Sequence, residues 1–275
     1  MRFTLDNTII GFIGAGNMAN SLIRGILAKG KSPSTVLAAD IDATKLGSLR
    51  KETKIETMSN QENVDRADVI VLAVKPQIME SVCLDLNLSA PSKLIISIAA
   101  GTTVTQLQKW LGNASAVVRC MPNTPALIGK GATGMFANKH VDHNQRLLAE
   151  EIMGTVGMSA WVERESDIDI ITAVSGSGPA YFFLFMEALE EAAQELGLSE
   201  DLAKSLIYNT AAGAAELAKT SGGSAAELRE KVTSPGGTTQ HALNIFEARG
   251  FKNIVHEALT AARDRSIELA KESSN

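Results

Sequence analysis

Apolar residues change their rhythm twice along this chain. The first apolar, β-branched run, Thr8-Ile9-Ile10-Gly11-Phe12-Ile13, is short and continuous, as a strand covered on both faces must be. It stops at Gly14-Ala15-Gly16-Asn17-Met18-Ala19. The spacing then turns helical, with Leu22, Ile23, Ile26 and Leu27 on one side and Gly30 placed as a C-terminal cap. Four more runs repeat the strand signature: Val36-Leu37-Ala38-Ala39, Val69-Ile70-Val71-Leu72-Ala73-Val74, Leu94-Ile95-Ile96-Ser97-Ile98 and Ala116-Val117-Val118-Arg119-Cys120. Strands alternating with helices predict a doubly wound, parallel-rich α/β sheet with right-handed crossovers. After about Ser166 that signature ends and alanine-rich helical patterns take over. Ser175-Gly176-Ser177-Gly178-Pro179 marks the change, with Pro179 suited to a first helical turn. The helix that follows, Tyr181-Phe182-Phe183-Leu184-Phe185-Met186-Glu187-Ala188-Leu189, is apolar nearly all round and needs cover on every side. Further helices are predicted over 202–218 and 253–271. The expectation is a Rossmann-type domain over 1–165 and an all-α domain over 166–275 that holds at least a dimer together.

The glycine turn supplies the first candidate chemistry. Strand, Gly-x-Gly-x-x-Ala turn and helix, in that order, form the setting of a dinucleotide fingerprint. Gly14 permits the tight turn, Gly16 lets the backbone approach a pyrophosphate, and Ala19 keeps helix and strand close. Ligands in such sheets bind beyond the carboxyl ends of the strands. Three of those ends carry small residues and prolines suited to a flat ring: Ala73-Val74-Lys75-Pro76, Ala99-Ala100-Gly101-Thr102 and Met121-Pro122-Asn123-Thr124-Pro125. Asp40 ends the second strand, where a carboxylate accepts from the ribose of NAD and repels the phosphate of NADP. Lys45 and Arg50 follow closely, and Lys45 could offset that carboxylate. Far along the chain, Val232-Thr233-Ser234-Pro235-Gly236-Gly237-Thr238-Thr239 runs straight into a helical pattern. This is a carboxylate or phosphate trap built without a cationic side chain, or else a Pro-Gly-Gly turn with a threonine cap.

Bulk properties narrow the class. The 275 residues are 45% hydrophobic and 21% charged, with a net charge of −5 and no Lys/Arg cluster, so nucleic acid is not an expected partner. The opening residues do not read as a signal peptide, and no stretch of bilayer-spanning length looks free of charge or strong polarity. Two cysteines, Cys83 and Cys120, and four scattered histidines suggest neither a disulfide framework nor a metal site. A cytoplasmic, metal-free protein is the expectation.

Six segments together resemble the pyrroline-5-carboxylate reductases, which catalyse the last step of proline synthesis. They are Phe12-Ile13-Gly14-Ala15-Gly16-Asn17-Met18, Ala73-Val74-Lys75-Pro76, Ser97-Ile98-Ala99-Ala100-Gly101, Arg119-Cys120-Met121-Pro122-Asn123-Thr124-Pro125, Ser175-Gly176-Ser177-Gly178-Pro179-Ala180-Tyr181 and 232–239. The resemblance spans essentially the whole chain. It implies a helical domain that interlocks subunits into homodimers, often assembled into decamers. It also implies NADPH as the usual coenzyme, with NADH accepted by many members. Where members commonly carry Ser, Asn or Arg, this chain has Ala39-Asp40. By the family's pattern, Phe12 to Met18, Asp40, Ala73 to Pro76, Ala99, Ala100 and Asn123 hold the coenzyme. Ser234, Gly236, Gly237, Thr238 and Thr239 hold the substrate, with the N–H groups of Gly237 and Thr238 on its carboxylate. The Thr239 hydroxyl faces the imine nitrogen as hydrogen-bond partner or proton donor.

Three other readings remain. A β-hydroxyacid dehydrogenase resembles this chain at Gly176-Ser177-Gly178 but needs a lysine where Phe182 stands. A reductase of another cyclic imine would share every feature named so far. A non-catalytic NADP sensor would keep the fingerprint but lose the loop at Ser234 to Thr239, which is intact here.

Overall fold

Four short strands with every residue buried form the centre of a parallel sheet: β1 (Ile10–Ile13), β2 (Val36–Ala39), β4 (Val69–Leu72) and β5 (Leu94–Ser97). Successive side chains point to opposite faces, so each strand feeds two apolar clusters. Phe12, Val71, Ile96 and Val118 lie in one, and Ile13, Ile70, Leu72, Ile95 and Val117 in the other. The computed structural model describes residues 5–88 and 93–272, so residues 1–4 of the opening stretch lie outside it.

β3 (Glu56–Thr57), β6 (Ala116–Met121), β7 (Gly131–Ala137) and β8 (Gly157–Trp161) complete an eight-stranded sheet of order β3-β2-β1-β4-β5-β6-β7-β8. All pairs are parallel except β6 with β7. β3, β7 and β8 were not apparent in the apolar pattern. β7 and β8 are rich in glycine and small residues, which have low strand propensity, and tertiary pairing makes them strands. Gly131 pairs with Gly157 in register, and a Cβ on Gly157, at φ 152°, would stand 2.1 Å from the Gly131 carbonyl oxygen. That approach admits only glycine.

Helices α1 (Asn17–Ala28), α2 (Ala43–Thr53), α3 (Asn60–Arg66), α4 (Pro76–Asp85) and α5 (Val104–Leu111) make the crossovers, and α6 (His143–Met153) leads from β7 towards β8. α7 (Asp167–Ile171) continues through a π-helical turn into α8 (Gly178–Glu195). α9 (Glu200–Thr220), α10 (Ala225–Lys231), α11 (Thr238–Ala248) and α12 (Phe251–Glu272) follow. The chain folds as two compact units: one runs to Ser177 and takes back the chain from Ala261, and the other is Gly178–Thr260.

The second unit is all helix and buries almost none of its own apolar surface. In α8 and α9 only Gly178 and Ala203 are buried, and α10 and α11 bury nothing. Phe182 is 68% exposed and Ile245 65%. The rings of Phe185, Phe246 and Phe251 gather at centroid distances of 5.6–6.5 Å. Within the continuous helix Asp167–Glu195, an 18-residue window reaches a mean hydropathy of 1.3, apolar enough by length and composition to cross a membrane. The helix is not free of charge, since it carries Asp167, Asp169, Glu187, Glu190, Glu191 and Glu195. α7, the π turn and α8 run together as one helix, and its exposed apolar side chains mark a surface for another protein chain.

Candidate active site

The sheet order reverses direction between β1 and β4, and the glycine turn sits at that switch point. Gly14 has φ 97°, and its N–H donates to the Ala39 carbonyl at 2.7 Å. Ala15 N–H donates to Asp40 Oδ2, also at 2.7 Å. The turn is thus tied to the end of β2 by two bonds. Gly16 caps α1 with no side chain over the first N–H groups, and the first turn holds no acidic residue. Gly16 and Asn17 are exposed. This helix end therefore presents unpaired donors and partial positive charge, which suit a pyrophosphate. Phe12 and Ile13 have their side chains in the core, so they can offer a ligand backbone only. Met18 is half-buried and packs on the core.

The neighbouring strand ends line up with this turn. Ala73 N–H donates to the Ile13 carbonyl at 2.8 Å, and Ile98 N–H to the Leu72 carbonyl at 3.1 Å. Ala73, Val74 and Pro76 are half-buried and Lys75 is exposed, with Pro76 opening α4. Ala99 is buried and Ala100 half-buried before the turn into α5. Asn123 has a role within the protein: its Nδ2 donates to the Ser175 carbonyl at 3.0 Å, and its Oδ1 accepts from Ala132 N–H at 2.8 Å. Its amide pins β6 to β7 and to the π turn, leaving backbone groups for a ligand. Asp40 is not the cap of α2. Asp42 fills that place, accepting from Thr44 and Lys45 N–H.

One charged group was missed in the sequence. Arg119, in β6, has a side chain only 3% exposed and pairs with Glu165 at 3.0 Å and Asp169 at 3.4 Å. Ser266 Oγ donates to Asp169 at 2.8 Å, and Val104 N–H donates to Glu165 at 2.7 Å. The network joins β6, the start of α5, α7 and the returning end of α12. Its signal was present: an arginine inside an otherwise apolar strand must find buried carboxylates. Cys120 stands beside it, and burial pushes its thiol well up; Cys83 is pushed up to about 12 for the same reason. Neither is a nucleophile at neutral pH.

In the second unit, Ser234 to Gly236 form an exposed turn and Gly237 caps α11. The structure changes the expected donors. Gly237 N–H closes the turn onto the Ser234 carbonyl at 3.0 Å, and Gly236 N–H donates to Gln240 Oε1 at 2.6 Å. Neither group is available to a ligand, because the turn uses both internally. Thr238 and Thr239 begin the helix, and no side chain caps their N–H groups. Thr239 is therefore not a capping residue, and it is half-buried.

Residues 165–269 match the family model described as pyrroline-5-carboxylate reductase dimerisation, and residues 9–101 match the one described as NADP oxidoreductase, coenzyme F420-dependent. The chain is 49% identical to the pyrroline-5-carboxylate reductase of Pseudomonas aeruginosa, covering 96% of this chain and 97% of the relative. Among solved structures, a pyrroline-5-carboxylate reductase from Coxiella burnetii superposes with a TM-score of 0.90 at 43% identity, covering 96% of this chain and 98% of that one. Plasmodium falciparum pyrroline carboxylate reductase with NADP bound gives a TM-score of 0.87 at 34% identity, covering 97% and 100%.

Proposed function

The chain belongs to the pyrroline-5-carboxylate reductase family, and from that we propose that it reduces the imine of 1-pyrroline-5-carboxylate to give L-proline, with NADPH as coenzyme and NADH also accepted. One structural observation carries the reading. α1 and α11 each begin at a glycine, with no capping side chain and no acidic residue in the first turn. By contrast α2, α3, α5, α6 and α10 are closed by Asp, Ser or Thr side chains. An open helix end that begins at a glycine is thus offered by each unit, fit for a pyrophosphate in the first and a carboxylate in the second.

A dinucleotide suits the first unit, because Gly16 leaves no side chain between the α1 donors and an approaching phosphate. When bound, the reduced coenzyme supplies a hydride to the imine carbon. The protein's part is to bind and orient. The N–H groups of Thr238 and Thr239 receive the substrate carboxylate, with Ser234 and the glycine turn setting their direction. The Thr239 hydroxyl donates to the ring nitrogen, which becomes the basic amine of the product. Holding imine and hydride donor together supplies most of the rate. A homodimer, able to assemble further into decamers, covers the apolar helices of the second unit. A cytoplasmic setting belongs to the same reading.

Thr239→Val is expected to lower kcat about tenfold, the weight of one lost hydrogen bond. Thr239→Ser should retain most of the rate, and coenzyme affinity, followed by fluorescence titration, should stay the same in both. A valine variant with unaltered kcat would remove Thr239 from the chemistry.

A further inference from the structure

The adenosine end of a dinucleotide lies against the end of the second strand. There a carboxylate accepts from the ribose of NADH, and a cation accommodates the 2′-phosphate of NADPH. This chain places two carboxylates in that turn, Asp40 and Asp42. Asp40 is fixed: Oδ2 accepts from Ala15 N–H at 2.7 Å and Oδ1 from Asp42 N–H at 2.9 Å. Asp42 lies over the start of α2, where its Oδ1 accepts from Thr44 N–H at 3.0 Å and Lys45 N–H at 3.1 Å. The helix end that could have received a phosphate already holds an anion. Lys45 Nζ stands 3.4 Å from Asp42 Oδ2, so the nearest cation is already paired. Arg50, further along α2, faces Glu56, whose carboxyl is held below its usual range first by the hydrogen bond from Arg66 and then, more weakly, by the Arg50 charge. The hydrogen bond from Lys45 N–H also holds the Asp42 carboxyl below the usual range, keeping it charged near neutral pH. Between the two carboxylates Ile41 is 94% exposed, an apolar side chain that fits the face of an adenine, a contact NADH and NADPH share.

We propose that Asp42, together with Asp40, selects the coenzyme: its carboxylate occupies the α2 N-terminus and repels a 2′-phosphate, so that NADH competes effectively with NADPH. The proposal rests on the reductase reading above and adds to it a residue that sets specificity.

Asp42→Ser is the informative variant, because serine still caps the helix while the charge is lost. The probes are NADPH, NADH, adenosine 2′,5′-bisphosphate and adenosine 5′-monophosphate, titrated by calorimetry without substrate. Asp42→Ser should tighten the two 2′-phosphorylated ligands roughly fivefold and move the other two by less than about twofold, the scale of an exposed like-charge repulsion removed. The unmutated protein gives a second readout. Raising salt to about 0.5 M screens the repulsion and should shift the ratio of affinities towards NADPH. A ratio unmoved in the variant, or one that salt shifts towards NADH as a cationic pocket would require, overturns the proposal while leaving the reductase reading in place. Folded protein that binds neither dinucleotide overturns both.

Discussion

Replacing Gly14 with alanine is expected to destabilise the first unit by about 3 kcal/mol, since the backbone strain and the steric clash act together. Gly14 sits at φ 97°, and a Cβ there would stand 2.6 Å from the Ala73 carbonyl oxygen and 2.8 Å from its carbon. Those atoms cannot yield cheaply, because Ala73 N–H is bonded to the Ile13 carbonyl at 2.8 Å in the sheet. Nor can the turn swing outward, since Gly14 N–H is bonded to the Ala39 carbonyl at 2.7 Å. The clash falls on β1, β2 and β4 together. Chemical denaturation should show the loss, and titration with NADPH should show affinity reduced by more than about tenfold, as a misplaced helix end implies. Gly16→Ala is the contrast. Nothing lies within 4 Å of a Cβ there and the backbone is extended, so the fold should tolerate alanine while coenzyme binding suffers. Equal stability of the Gly14 and Gly16 variants would show that the turn is looser than described.

Arg119→Met is the second large effect. The guanidinium is buried between Glu165 and Asp169, whose side chains are 25% and 14% exposed. Removing it leaves two carboxylates without their countercharge, and the expected cost is about 3 kcal/mol. The damage should extend beyond the strand, because Asp169 also accepts from Ser266 and so fastens the returning end of α12. Adding Asp169→Asn should recover part of the loss, since one uncompensated charge disappears. Urea unfolding of the single and double variants tests this. A single variant as stable as the parent would mean that the pairs add nothing to stability.

The parallel core and the glycine turn were legible because each rests on local signals: continuous β-branched runs at Ile10, Val69 and Leu94, and a glycine pair between strand and helix. The antiparallel edge was not. Gly131 to Ala137 has weak strand propensity and becomes a strand only beside β6 and β8, a tertiary fact. The same holds for hydrogen bonds that use up a group before a ligand arrives. Nothing local reveals that Gly237 N–H closes onto Ser234, that the Asn123 amide bridges Ala132 and Ser175, or that Asp40 holds the turn at Ala15. Arg119 was visible as an oddity in an apolar strand, but its partners lie 46 and 50 residues away. The apolar helix at Phe182 was read correctly as needing cover. That it runs back through the π turn into α7 appears only in three dimensions.

The most direct measurement follows NADPH and NADH oxidation after 1-pyrroline-5-carboxylate is added to purified protein, with the product identified. Coenzyme oxidation matched mole for mole by L-proline is the expected result. Folded protein that binds the dinucleotide yet leaves pyrroline-5-carboxylate unreduced would contradict the assignment.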